Sequence, residues 1–266
     1  MNVRKVVEKI IESCDVPMLI QTCDVLICGE WDSEVTGIIS TFMATVDVIN
    51  EAVAKGANLI ITHEPTYYTS KDETDWLIAD EVYWLKKNLI ENHQINIWRF
   101  HDHMHMMKPD LIYSGIDKEL QWDDYRTAEN QHCYIIPVTT LKELTTYLKD
   151  KLDVKVARMI GKEDLKISRV GLLVGGGSLG LGSEQMPMEL MQQANLDVII
   201  CGEIVEWTLC AYVRDAHQLG MSKSLIILGH NRTEEVGMKH LCDWLQHLFP
   251  EIPVWFSEAG EPFNYL

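Results

Sequence analysis

Three short segments carry most of the chemistry legible in this 266-residue chain: Thr62-His63-Glu64-Pro65, His101-Asp102-His103-Met104-His105 and Gly229-His230-Asn231-Arg232-Thr233-Glu234. Imidazole nitrogen suits zinc, iron and other first-row divalent metals, while carboxylate is a harder donor that can bridge two ions. His101 and His105 are four residues apart, as are His230 and Glu234, so each pair shares one face of a helical turn. With His63 and Glu64 they make six donors, enough for two divalent ions (zinc, iron or manganese) with positions open to water. A lone His at a strand end reads as packing or capping. Three such ends, each with a partner, read as a metal site.

Alternatives sit beside this reading. His101-x-His103 resembles the H-x-H that ends a strand in barrel-type metal hydrolases, so His103 or Asp102 competes with His105. His63-Glu64 does not continue into a metalloprotease H-E-x-x-H helix, because Pro65 follows and Tyr67 stands at the second His position. Glu203 and Glu206 are candidates for a general base or for holding a ligand His, although acids at a helix start also favour the helix dipole. Gly175-x-Gly177-x-x-Gly180 formally matches a dinucleotide fingerprint. Its loop is long for a phosphate turn, and Asp197 precedes its strand instead of following it, so it reads as a mobile strand-to-helix loop, which the half-repeat would put near the metals.

These segments need a scaffold that collects strand ends. Short β-branched runs alternate with helical patterns, the signature of an α/β fold with mainly parallel sheets and helices on their faces. Strands are expected at Val35 to Phe42, Leu59 to Thr62, Ile95 to Phe100, Arg169 to Val174, Val198 to Cys201, Leu225 to Leu228 and Val254 to Phe256. Helices are expected at Val3 to Cys14, Val46 to Lys55, Thr74 to Asn92, Thr140 to Leu152, Pro187 to Ala194, Val205 to Leu219 and Glu234 to Leu248. Asn58 to Glu64 aligns without gaps on Asp197 to Glu203, which suggests two similar lobes facing each other across a metal cleft. The lobes are expected at about residues 1–125 and 168–266, with 126–167 connecting them.

Composition narrows the partners. Forty acidic against 23 basic side chains give a formal net charge of −17, which repels nucleic acid and anionic membranes but leaves a small-molecule substrate open. Seven cysteines without a close C-x-x-C pair argue against a disulfide framework, and the charged opening segment is unlike a signal peptide, so the chain reads as cytoplasmic.

The string Gly56 to Pro65, together with Gly229-His230-x-x-Thr233-Glu234, resembles the NIF-three-like family, also known as GTP cyclohydrolase 1 type 2-like. The resemblance extends to Val35-Thr36-Gly37-Ile38 and to Glu261-Pro262-Phe263. It implies a two-lobed α/β protein with a dinuclear metal site, often a ring-shaped hexamer. It also implies a metal-dependent hydrolase acting on a nucleotide-like or other small heterocyclic substrate, with a non-catalytic metal-binding or ligand-sensing protein as the alternative. Two departures stand out. The family pattern has a second histidine where this chain has Glu64, and an aspartate where it has His105, so the set keeps four imidazoles and two carboxylates.

Overall fold

A computed structural model describes residues 1–266. Contacts divide the chain into two compact units, Met1–Gly115 with Gly237–Gly260, and Ile116–Val236 with Glu261–Leu266. Each is an α/β unit built on a five-stranded sheet.

The first unit begins with helix α1 (Val3–Ser13), whose Val3, Val6, Val7 and Ile10 recur at helical spacing and are buried. Strands β1 (Leu26–Cys28) and β2 (Ile38–Thr41), helix α2 (Val46–Lys55) and strand β3 (Leu59–Thr62) follow. Thr45 caps the start of α2 through the Val48 amide, and Gly56 ends the helix in the left-handed conformation. Helix α3 (Glu81–Asn92), strand β4 (Asn96–Arg99) and the short helices α4 (Asp102–Met106) and α5 (Leu111–Leu120) complete the run. The single helix expected over 74–92 is divided. A 3-10 turn at Asp75–Leu77 comes first, and Asp80 in extended conformation then caps α3 through the Tyr83 amide.

The second unit contains β5 (Cys133–Thr140), α6 (Leu141–Lys151), β6 (Arg158–Ile160), β7 (Lys166–Leu173), α7 (Met186–Gln193), β8 (Val198–Cys201), α8 (Ala211–Gln218) and β9 (Ser224–Ile227). A capping box between Thr140 and Glu143 starts α6. The long helix α9 (His230–Leu248) and strand β10 (Val254–Phe256) close the fold, with α9 starting one turn earlier than expected.

The sheet orders are β1-β4-β3-β2-β10 and β5-β7-β8-β9-β6. In each, three strands run parallel through the middle, β2-β3-β4 and β7-β8-β9, and every residue of β3 and β8 is buried. The expected equivalence of Leu59–Thr62 and Val198–Cys201 therefore corresponds to the central strand of each sheet. Antiparallel strands flank these cores, β1 in one sheet, and β5 and β6 in the other. Residues 126–167, expected as a connection, supply strands β5 and β6 of the second sheet and the helix α6 between them. At the far end of the chain β10 joins the first. The expectation missed β5 because Ile135 and Val138 face solvent and Pro137 interrupts the run.

Each core forms where helices cover a parallel sheet. Val48, Ile49 and Ala52 of α2 and Ile90 of α3 pack on Ile39, Ile60 and Ile97, and Leu190, Met191 and Val213 pack on Ile199 and Leu225. Burying each such aliphatic side chain contributes about 1.5–3 kcal/mol. No helix is long and apolar enough to cross a membrane.

Candidate metal centre

Register decides which histidines can meet. Thr62 pairs with Arg99 at the carboxyl ends of β3 and β4, and the Phe100 amide donates to the Thr62 carbonyl at 2.8 Å. His63 and His101 therefore leave neighbouring strands at nearly the same level, where open α/β sheets collect ligands. His101 is the N-cap residue of α4, and His105 follows one turn later, its amide donating to the His101 carbonyl at 3.1 Å.

The three rings converge. His63 and His101 stack with centroids 4.5 Å apart, and His105 stands edge-on to both at 4.9 and 4.8 Å. His63 is fully buried, and its Nε2 lies 3.2 Å from Nε2 of His105. Each Nδ1 faces an oxygen: the Phe100 carbonyl at 3.3 Å for His63, Asp102 at 2.9 Å for His101 and Asp110 at 2.9 Å for His105. A ring that donates from Nδ1 is in the tautomer that leaves Nε2 as a lone pair, the arrangement carboxylates impose on metal-bound histidines. Two such lone pairs at 3.2 Å repel unless a proton or a cation lies between them. Two nitrogens bound to one tetrahedral ion at the usual zinc–nitrogen length stand roughly 3.3 Å apart. The donor set therefore fits a divalent metal.

Asp102 and Asp24 hold this arrangement. Burial opposes ionisation of Asp102, but the Cys23 amide, His101, the Cys23 thiol and the Thr22 hydroxyl outweigh it and keep the carboxyl well below the usual range. Asp24 accepts the amides of His101, Asp102 and His103 at 2.6, 2.8 and 2.9 Å, fixing the first turn of α4. It also meets Nδ1 of His103 at 2.6 Å. His103 makes the same kind of contact as His101 and His105, an Nδ1 turned to a carboxylate, and its buried Nε2 has no hydrogen-bond partner, but the cluster of donor atoms is formed by His63, His101 and His105 and does not include it. A donor oxygen of Glu64 lies within 4.8 Å of a ring nitrogen of His63.

In the second unit, Leu228 and Gly229 leave β9 beside Cys201 and Gly202 of the neighbouring strand end, and His230 opens α9. Its Nε2 meets Glu234, four residues on, at 2.9 Å, and its Nδ1 meets Glu203 at 3.3 Å. Glu234 is buried and Glu203 is half exposed. Glu206 is exposed and opens a π-helical turn, Glu206–Cys210, that precedes α8.

The glycine-rich loop lies against the acids around His230. Gly175 has φ +52°, and a Cβ there would overlap the Glu234 carboxylate. Its amide donates to the Thr233 hydroxyl at 2.9 Å, and its carbonyl accepts the Glu203 amide at 2.8 Å. The loop is thus a backbone wall against which the acids on both sides of His230 are set.

The profile of the Duf34/NIF3 (NGG1p interacting factor 3) family matches residues 1–262. The chain belongs to the Duf34/NIF3 family. Among its relatives, a GTP cyclohydrolase 1 type 2 homolog of Clostridium acetobutylicum is 28% identical over 221 residues, 79% of this chain and 76% of that one. Its namesake in Clostridium perfringens is 25% identical over 254 residues, 91% and 90% of the two chains. A hypothetical protein of Staphylococcus aureus superposes with a TM-score of 0.77 at 22% identity, covering 100% of this chain and 99% of the other. A Bacillus cereus protein related to NIF3 gives 0.75 at 15% identity over 100% and 99%. At such identities the superpositions speak to the fold, two similar α/β lobes.

Reading this Duf34/NIF3 chain by sequence missed Asp24 and Asp110. Asp110 Oδ1 accepts the amides of Ile112 and Tyr113 at the start of α5, leaving Oδ2 for His105. An aspartate just before a helix is a legible cap signal, and its distance of five residues from His105 was the available clue. Nothing in the sequence marks Asp24, which lies 77 residues before His101.

Proposed function

We propose that this protein is a dinuclear metal-dependent hydrolase acting on a nucleotide-like or other small heterocyclic substrate. The observation that carries the reading is the convergence of His63, His101 and His105 with every Nδ1 already turned to an oxygen. The count of two ions rests on the six donors read from the sequence, His63, Glu64, His101, His105, His230 and Glu234, a mixture that suits zinc, iron or manganese. When bound, such ions activate water and polarise the scissile bond.

The protein's own part is to orient the imidazoles and to offer a base. Glu203 is half exposed beside His230, in reach of solvent protons, and Glu206 is the second candidate. The name carried by the clostridial relatives supports a nucleotide-like substrate. Assembly into a homo-oligomer, up to the hexamer implied by the resemblance, belongs to the same proposal. The exposed apolar side chains Trp76, Ile78, Val82 and Leu85 support it, and light scattering tests it.

A second reading, a metal-binding or ligand-sensing protein without chemistry, is favoured by one observation: Glu203 is engaged by His230. Elemental analysis joined to turnover of a nucleoside triphosphate panel separates the two. The hydrolase reading expects two ions per chain and metal-dependent product formation that vanishes in His63→Ala and drops in Glu203→Gln. Two ions with no turnover would favour the binding reading. Absence of metal affinity would remove both.

A further inference from the structure

A cavity of about 470 Å³ opens in the first unit beside the carboxyl end of β4. Its walls include Thr22, Ser70, Lys71, Asp72, Arg99 and Asp102. Asp102 has both oxygens hydrogen-bonded, whereas Asp72 Oδ2 has no hydrogen-bond partner. Asp102 Oδ2 accepts the Thr22 hydroxyl and the Cys23 amide at 2.9 Å, while Oδ1 meets the Cys23 thiol at 3.3 Å and His101 at 2.9 Å. Asp72 Oδ1 accepts the Thr66 and Tyr67 amides at 2.7 and 2.5 Å, and its buried Oδ2 stands 3.9 Å from Nη1 of Arg99.

The donors are not used up. Arg99 is buried, and it gives Nε to the His63 carbonyl at 3.3 Å and Nη1 to the Ser70 carbonyl at 2.7 Å. Nη2 has no hydrogen-bond partner. Lys71 is exposed and has no acid partner. In a chain of net charge −17, the charged lining of this cavity balances, two cations against two acids, and Asp102 is spent on hydrogen bonds to its neighbours.

We propose that this cavity binds a small oxyanion, a phosphate or carboxylate group, between Arg99 and Lys71. A guanidinium fixed by two carbonyls presents its remaining N–H groups in a rigid fork that matches such oxygens, and a flexible ammonium at the rim supplies a second charge. Asp102 both lines the cavity and holds His101, so the oxyanion is either the charged end of the substrate or a separate ligand resting against the group that orients a metal donor.

The test is calorimetric titration of the full-length protein, as purified and after EDTA treatment, with inorganic phosphate and with a nucleoside triphosphate. Saturable one-site binding is expected, weakened about tenfold in Lys71→Glu and also weakened in Arg99→Lys. It should persist in His105→Ala, which removes a metal donor and leaves the cavity walls in place, so the outcome is separate from that of the hydrolase reading. Tighter binding of the triphosphate, lost equally in Lys71→Glu, assigns the oxyanion to a substrate. Phosphate binding without that gain assigns it to a separate ligand. No saturable binding of either probe up to about 10 mM, weaker than ordinary specific sites, overturns the proposal. So does binding that Lys71→Glu leaves unchanged.

Discussion

His63 and His105 face each other Nε2 to Nε2 at 3.2 Å, while Nδ1 of one is turned to the Phe100 carbonyl and Nδ1 of the other to Asp110. Asp110 is therefore expected to set metal affinity without being a ligand. Asp110→Asn keeps an oxygen to cap α5 but loses the carboxylate that polarises His105. Zinc affinity, measured by chelator competition, should fall about 10- to 100-fold while the melting temperature changes little. Unchanged affinity would show that His105 is not held as a ligand.

Asp24 acts through the backbone. It gathers three consecutive amides at the start of α4, so Asp24→Ala leaves buried donors unpaired and should cost about 1–3 kcal/mol in urea unfolding. Because those amides position His101 and His105, zinc affinity should fall in the same variant, with partial recovery in Asp24→Asn. Loss of stability with intact metal affinity would mean that the turn keeps its shape without the carboxylate.

Two glycines with positive φ separate crowding from backbone strain. Gly175→Ala places a methyl into the Glu234 carboxylate, whereas at Gly182, with φ +94°, an added methyl would meet no atom within 4 Å. Gly182→Ala should cost about 1 kcal/mol, and Gly175→Ala several-fold more, by thermal unfolding. Equal costs would mean that the loop yields and does not serve as a wall.

Stability should fall in alkali. Burial comes first among the causes that push the thiols of Cys14, Cys28 and Cys242 up to about 12. Unfolded thiols ionise near about pH 8.5, so from there to about 12 the folded chain binds more protons, and stability declines as pH rises. Lys86 acts oppositely. Burial lowers it to about 8, so the unfolded chain holds the extra proton between about 8 and 10.5, and folding gains as pH rises through that window. Three thiols outweigh one amine. The urea midpoint should drop between about pH 8.5 and 10, less steeply in Cys28→Ala and more steeply in Lys86→Met.

How much was legible varies with the range of the interaction. The strands Leu59–Thr62 and Val198–Cys201 were read residue for residue, because a fully buried parallel strand is a short apolar run between polar punctuation. The helical pairs His101/His105 and His230/Glu234 were readable for a similar reason, since four-residue spacing is a local property of the helix. Strand β5 was not readable, with two apolar residues facing solvent and a proline inside it. The glycine spacing 175–180 matched a dinucleotide fingerprint only formally, and its role beside Glu234, far along the chain, was not readable from it.

The sequence by itself determined the donor types, their helical spacing and the strand ends that carry them, because each depends on residues within about one turn or one strand of each other. Tertiary structure decided the rest. Packing set Nε2 of His105 3.2 Å from Nε2 of His63 and placed Nδ1 of His103 against Asp24, 79 residues away along the chain. Register between β3 and β4 brought His63 to His101, and side-chain packing set which ring nitrogen faces an oxygen. Those distances arise from pairing and burial across the fold, and spacing along the chain does not encode them.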